Sequence, residues 1–521
     1  MSDPRLAAAW GLLPNYLGQH VLLSASALLL GVAVSLPLAV AASRSAVVRW
    51  PSLLFASFVQ TIPSLALLAL FYPLLLALST LSTAAFGRGF PALGFLPSLL
   101  ALTLYSMLPI LRNGVAGLTG VDPAIVEAAR GVGMTDRQRL FQVELPLAAP
   151  VIMAGVRTAA VWTIGAATLA TSVGQTSLGN YIFSGLQTEN WVFVLFGCAA
   201  SAGLALAADQ LLGLIEQGLA RRSRWRVVAG AVGLAVGTLA ALAPLGLTAA
   251  APARYVIGAK NFSEQYILAE LISDRLKAAG AATELKQDLG STIAYSALRA
   301  NEIDTYVDYS GTLWENILKR TDNPGRQAVL DQLTAQLKAR DGVTVLGSLG
   351  FENAYAFAMR RSEAEQLGIR TLDDLAAHAP QLTLGADLEF LSRPVWASVR
   401  DAYGLRFKAQ TQFQPTFMYR ALTGGQVDVI SAFSSDGRIA ADDLVVLKDP
   451  RHALPPYDAV VLISPKRATD QRLIGALKPL IGKIDVAAMR AANFTVDRDH
   501  DKVAPAEAAK ALQAKLGLQA H

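Results

Sequence analysis

"PAIVEAARGVGMTDRQRLFQVELPLAAP", residues 123–150, is a polar, charged island between two long apolar runs. It reads as a helix, a glycine turn and a second helix that meets a proline. What flanks it decides the fold. From residue 1 to about 250 the chain is dominated by Ala, Leu, Val and Gly; after Tyr255 the composition becomes that of a soluble globular domain. Over the 521 residues 53% are hydrophobic and 16% charged, whereas about a quarter of a soluble protein is charged. The deficit sits in the first half. At least two units follow, one in a membrane and one outside it. The second is long enough for a sizeable core or two lobes.

A bilayer core takes about 20 helical residues to cross. Six spans are predicted, over 20–43, 52–78, 91–112, 147–173, 191–219 and 226–251. Arg44 and Arg49 follow the first. Arg112, Arg130, Arg137 and Arg139 lie between the third and fourth, and Arg221, Arg222, Arg224 and Arg226 between the fifth and sixth. The opposite loops hold Arg88 alone and, over 174–190, no Lys or Arg. Basic loops stay inside, so the island is expected in the cytoplasm, with the N-terminus and everything after the sixth span outside. The net charge of +5 is modest and lies largely beside apolar runs, which points to membrane orientation and away from nucleic acid. Asp209, in the fifth span, is expected near the interface, bonding a neighbouring helix. Pro63 is expected to kink the second span. The single cysteine, Cys198, excludes an internal disulfide and reads as a small membrane-buried residue. "RRSRWR", an apolar run and "TAAAPA" (248–253) also have the form of a cleavable leader. An uncleaved anchor is favoured, because the run is long enough to span.

The island contains Glu127-Ala128-Ala129, then Gly133, Val143, Leu145 and Pro146. Two short helices cannot bury themselves in lipid and need a protein surface. Small Ala128 and Ala129 permit close approach, and Gly133 permits the turn. The spacing, EAA-x3-G-x9-[IV]-x-LP, resembles the EAA loop of ABC importer permeases, with Val143 for the usual Ile. In that family the loop docks into a cleft of the ATPase subunit. The chain has no G-x-x-x-x-G-K-[ST] phosphate loop. The resemblance therefore implies a transporter subunit that is no enzyme, a separate cytoplasmic ATPase in two copies, and a homodimer of this chain.

The outer half reads strand, helix, strand, helix, strand from Arg254 to Trp314. Val256 and Ile257 open the first strand. Asn261 with Glu264 is expected to start a helix that stops at Gly280. Such alternation predicts α/β units with a mostly parallel sheet. Ligands sit at the carboxyl ends of such strands, beside helix N-termini. "GAKNFSEQ" and "DLGSTIAYSAL" are turns of that type.

"GAKNFSEQYILAEL", "DLGSTIAYSAL", "EIDTYVDYSGTLW", "GFENAYAFAMR", "FSSDGRI" and "PPYDAVVLIS" resemble the substrate-binding proteins of the glycine betaine/choline/proline-betaine uptake family. Its permeases carry "QTIPSLALLAL" and "SLGNYIF". The resemblance covers nearly the whole chain and implies a permease fused to its binding protein. The implied fold is an all-α polytopic membrane domain over 1–253, with its loop at 121–146, followed by a two-lobed α/β periplasmic binding domain over 254–521. Lobe one would be 254–357 plus 460–521, and lobe two 358–459. The expected location is a bacterial inner membrane, with the binding domain on the periplasmic side.

A quaternary ammonium has no N–H to donate, so aromatic faces recognise it, at about 0.5–2 kcal/mol each when desolvated. The family's four tyrosines fall on Tyr309, Tyr355, Phe433 and Tyr457. Phe433 keeps the π-face and loses the hydroxyl. For a betaine carboxylate, Lys260, Gln265, Thr312 and Arg393 match positions that supply charge or hydrogen bonds, and the fork of Arg393 suits that group. Asn353 matches a polar residue beside the cage, and Thr292 starts a helix. Trp396 reads as core. His20, His378, His452, His500 and His521 have no metal spacing, and neither metal nor cofactor is expected. "SDG" and "DNPG" read as turns. The implied activity is ATP-driven import of a quaternary-ammonium zwitterion. Ergothioneine import, efflux and ligand sensing without transport are the rivals.

Overall fold

The computed structural model describes residues 4–188, 190–247, 254–320, 322–498 and 501–518. It divides into two compact units, one holding most of the apolar half and one holding residues 251–521. The segment 248–253, with its leader-like end, and His500 and His521 lie outside the described residues.

Among the described residues, six helices are long and apolar enough to cross a membrane. The first unit begins with α1 (Pro4–Arg44), α2 (Ala46–Thr61) and α3 (Ser64–Phe86). Pro63 breaks the expected second span where a kink was anticipated. It removes a backbone donor and forces Ile62 into extended geometry (φ −75°, ψ 125°), so the helix stops and α3 restarts behind it. Next come α4 (Phe95–Thr119) and, across the island, α5 (Pro123–Gly131) and α6 (Asp136–Arg139). The chain continues into α7 (Leu145–Ala167), α8 (Gly179–Gln187), α9 (Trp191–Ala220) and α10 (Arg224–Leu247). Helices α4 and α7 approach closely because Gly155 faces the Pro109 carbonyl and the Asn113 side chain: a Cβ there would come within 2.7 Å of each. Asp209 of α9 does bond a neighbouring helix, accepting 2.5 and 2.7 Å hydrogen bonds from Arg157 of α7. Gly213 makes room for that guanidinium, with Cζ 3.3 Å from where its Cβ would stand. Cys198 lies on an exposed face of α9.

The island folds as its residues dictate. Asp122 caps α5 through Ala124 N (2.9 Å), with Pro123 in the first turn where its missing N–H costs nothing. Gly133 takes φ +82°, the left-handed turn that suits glycine. Thr135 and Gln138 form a capping box on α6. Arg139 is buried, bonding Asp136 and Glu144 at 2.8 Å each. Ile125, Val132 and Phe141 are exposed at 43%, 76% and 59%, so the loop offers apolar groups on an otherwise polar surface.

The second unit holds two five-stranded sheets. The first is built from β1 (Arg254–Lys260), β2 (Ala282–Leu289), β3 (Thr305–Tyr309) and β4 (Thr344–Glu352). The second takes β5 (Tyr355–Arg360), β6 (Thr383–Asp387), β7 (Ala409–Phe413), β8 (Val429–Phe433) and β9 (Leu444–Val446). The chain then returns to the first sheet as β10 (Asp458–Ile463). The orders are β2-β1-β3-β10-β4 and β7-β6-β8-β5-β9. In both, the first three strands run parallel and the fourth runs antiparallel to its neighbours. The two sheets are thus one topology used twice. Their central strands are buried on both faces, so they read as continuous apolar runs such as "AVVLI". The expected lobe boundaries at 357/358 and 459/460 fall inside β5 and β10; the chain crosses between sheets at 353–354 and 447–457. Strand-to-helix turns follow β1 and β2, leading to α11 (Ser263–Ala278) and α12 (Ser291–Arg299). Asn261 does not cap α11. Phe262 holds that place, in extended geometry and with no side-chain bond, because the helix begins one residue later than the capping pattern suggests.

Candidate functional site

The repeated topology brings equivalent strand ends to one cleft. Lys260 ends β1 and Asp387 ends β6. Tyr309 ends β3 and Phe433 ends β8. Tyr457 stands just before β10, and Tyr355 opens β5. All six line one cavity, at the carboxyl ends of parallel strands where α/β sheets place ligands.

Four rings suited to a cation converge there. Tyr355 meets Phe433 at 5.1 Å between centroids and Tyr457 edge-on at 5.4 Å. Behind them Phe390 touches Tyr355 (4.8 Å) and Trp396 (5.6 Å), making Trp396 core. Each such pair adds about 0.5–1.5 kcal/mol beyond area burial. Tyr309 stacks with Phe262 at 6.1 Å. Phe262 lines the cavity as a fifth ring that sequence reasoning missed; its position two residues after Lys260 was the available signal. Gly311 packs under Tyr457, where a Cβ would stand 2.6 Å from the ring.

Arg393 is held by its own backbone. Pro394 disfavours helical geometry before it, leaving Arg393 extended (φ −84°, ψ 152°) between two short helices. Its buried guanidinium donates to Thr312 Oγ1 (3.4 Å) and Tyr457 Oη (3.3 Å) and stands 5.5 Å over the Tyr355 ring. Glu315 lies 4.0 Å away. Burial holds the Glu315 carboxyl above its ordinary range, and Arg393 and the Tyr457 hydroxyl oppose that rise only in part. Lys260 pairs with Asp308 and stands 5.0 Å over the Tyr309 ring. The Arg393 guanidinium and the Lys260 ammonium thus border an aromatic box, which suits a ligand carrying a carboxylate and a bulky cation.

Eight of the ten expected residues line this cavity: Tyr309, Tyr355, Phe433, Tyr457, Lys260, Thr312, Asn353 and Arg393. Two do not. Gln265 sits behind Tyr309, donating to its hydroxyl at 3.0 Å and accepting from Lys260 N at 3.3 Å. Thr292 is exposed outside the lining, and its neighbour Ser291 faces the cavity instead. Sequence reasoning also missed Glu264, Asp387, Ser435, Asp436, Arg438, Asn493 and Asp497. Among the described residues, no three His, Cys, Asp or Glu side chains converge as a metal requires.

Residues 253–515 match the family described as the substrate binding domain of ABC-type glycine betaine transport system. Residues 31–221 match the binding-protein-dependent transport system inner membrane component family. The ergothioneine transport permease/ergothioneine binding protein of Helicobacter pylori (strain G27) is 29% identical over 480 residues, spanning 89% of this chain and 83% of that relative. The glycine betaine/carnitine/choline transport system permease protein of Bacillus subtilis (strain 168) is 39% identical over 200 residues, 38% of this chain and 85% of the relative. Among solved structures, a glycine betaine/carnitine/choline ABC transporter is 28% identical with a TM-score of 0.46, over 51% of this chain and 99% of that one.

Proposed function

We propose a cargo and a motor for this chain, which belongs to the family of substrate-binding domains of ABC-type glycine betaine transport systems and carries an inner-membrane permease in the same polypeptide. The cargo is a small zwitterion with a quaternary amine. The observation that carries this reading is the convergence of Tyr309, Tyr355, Phe433 and Tyr457 on one cavity with Arg393 at its edge. Ring faces take the permanently charged amine, and Arg393 with Thr312 takes the carboxylate. Calorimetry of the full chain in nanodiscs tests it, with glycine betaine, choline, carnitine, proline betaine and ergothioneine as probes. At least one zwitterion should bind saturably, and Tyr457→Ala should weaken it at least tenfold. Silence from all five, or an unchanged affinity in the variant, removes the reading.

Within that class ergothioneine has a specific argument. A relative that matches over 89% of this chain is named for it, whereas the glycine betaine/carnitine/choline permease relative matches over 38%. Ergothioneine also combines a trimethylated amine with a carboxylate. Ranking the five affinities decides.

The motor is a separate cytoplasmic ATPase, two copies on a homodimer of this chain, engaged by the loop 121–146. Its support is the EAA spacing together with Ile125, Val132 and Phe141 exposed on that loop. Carrying the binding domain on the permease gives an effective concentration of about millimolar. The double change Glu127→Ala, Gly133→Ala should abolish uptake and leave binding intact. Undiminished uptake would refute coupling through this loop, and the absence of uptake in the parent chain would favour a sensor.

A further inference from the structure

Glu264 is buried at 3% exposure in the lining of the cleft. Its Oε1 accepts from Tyr309 Oη at 2.6 Å and Asn353 Nδ2 at 3.1 Å. Its Oε2 accepts from Ser435 Oγ at 2.5 Å and Asn493 Nδ2 at 2.9 Å. A carboxylate has about four lone-pair sites. All are taken, so Glu264 has no acceptor left for a ligand. Its use lies in what it joins. Tyr309 ends β3 of the first sheet, and Asn353 belongs to the first crossover. Ser435 follows β8 of the second sheet, and Asn493 lies on the helix Val486–Asp497. Burial raises this carboxyl above its ordinary range, while the four donors oppose that rise and favour the charged form.

We infer that Glu264 is a positioning residue, a latch that fixes the ring of Tyr309 and, through Ser435, ties the second sheet to the first. Seating a ligand against Tyr309 and closing the cleft are then one event. The inference rests on the reading of this cleft as the ligand site. The four partners stand 45, 89, 171 and 229 residues from Glu264. Each holds a different segment, so removing one hydroxyl, that of Ser435, cuts the direct bond from Glu264 to the second sheet and leaves Tyr309 in place; Asn493 and Arg490 still donate to the Ser435 and Ser434 carbonyls, at 2.8 and 2.5 Å.

The test uses the full chain in nanodiscs with the tightest-binding zwitterion of the panel. Ser435→Ala should leave the association rate within about twofold and raise the dissociation rate at least tenfold. Glu264→Gln should raise it further, because its amide N–H₂ opposes two donors. A residue that merely stabilised the fold would lower the unfolding temperature without this split between on- and off-rates. Spin labels at Ala339→Cys and Gln366→Cys, exposed on opposite lobes in a Cys198→Ser background, report the cleft without ligand. Both latch variants should broaden that distance distribution. Unchanged dissociation and an unchanged distribution overturn the latch. If no zwitterion binds the parent chain, the transport reading falls and the distance distribution still judges the latch.

Discussion

The two sheets of the outer unit share a topology and place an aromatic ring at the same strand end, yet they hold it by different means. Tyr309 of the first sheet is hydrogen-bonded on its hydroxyl by Glu264 and Gln265, and its backbone N–H donates to Asp308 at 2.8 Å. The Phe433 ring of the second has no hydroxyl to be held by and rests against Tyr355, its cross-strand partner, while its backbone N–H donates to Tyr419 Oη at 3.4 Å. One ring is placed by directional bonds, whose geometry tolerates little error. The other is placed by packing, which adapts. A cleft built this way has one rigid jaw and one compliant jaw.

The comparison can be broken most sharply by deleting each ring. Tyr309→Ala removes a π-face and orphans one acceptor site of Glu264, so it should weaken zwitterion binding at least tenfold by calorimetry. Phe433→Ala should cost about fivefold, near the middle of the range for one cation–π contact. Equal losses would mean the jaws are alike. A gentler probe exchanges only hydroxyls. Tyr309→Phe should weaken binding about fivefold, on the order of 1 kcal/mol for a lost hydrogen bond; Phe433→Tyr should stay within about twofold. A larger effect at 433 than at 309 would reverse the assignment.

The smallest effect on affinity should come from Asp288, outside the cavity. Its carboxyl accepts from Tyr266 Oη, and its second oxygen has no partner among the described residues. Burial pushes its pKa up to about 7. The folded state therefore holds a proton that the unfolded state releases near pH 4, and the stability this gives is lost as pH rises through about 7. The parent chain should melt higher at pH 6 than at pH 8. Asp288→Asn tolerates the left-handed φ of +64°. It should raise stability at pH 8, on the order of 1–2 kcal/mol, and reduce the slope without abolishing it, since Asp497 is raised to about 7 as well. Ligand affinity should not change. A slope unaffected by the substitution would place the proton elsewhere.

Much of the architecture was legible because its causes are local. Long apolar runs announced the six spanning helices. Gly133 announced the island's turn, and "GAKNFSEQ" and "DLGSTIAYSAL" announced strand-to-helix turns. The break at Pro63 was misjudged, because whether a proline kinks or ends a helix depends on what neighbouring helices supply. The aromatic candidates were found through motifs, each readable within a few residues. Glu264 was visible only as a helix-start residue, since its partners come from four distant segments and no periodicity marks such a meeting. Thr292 was overvalued for its place at a helix start; one position of helical rotation turns Ser291 to the cavity and Thr292 to solvent.

The pairing of Arg157 with Asp209 bears on how the protein is made. The two residues are 52 positions apart, and the arginine helix is synthesised first. An unneutralised arginine in the middle of a spanning helix costs about 2.5–3.5 kcal/mol on insertion. On that cost, helix α7 alone should insert less completely than α7 with α9 beside it.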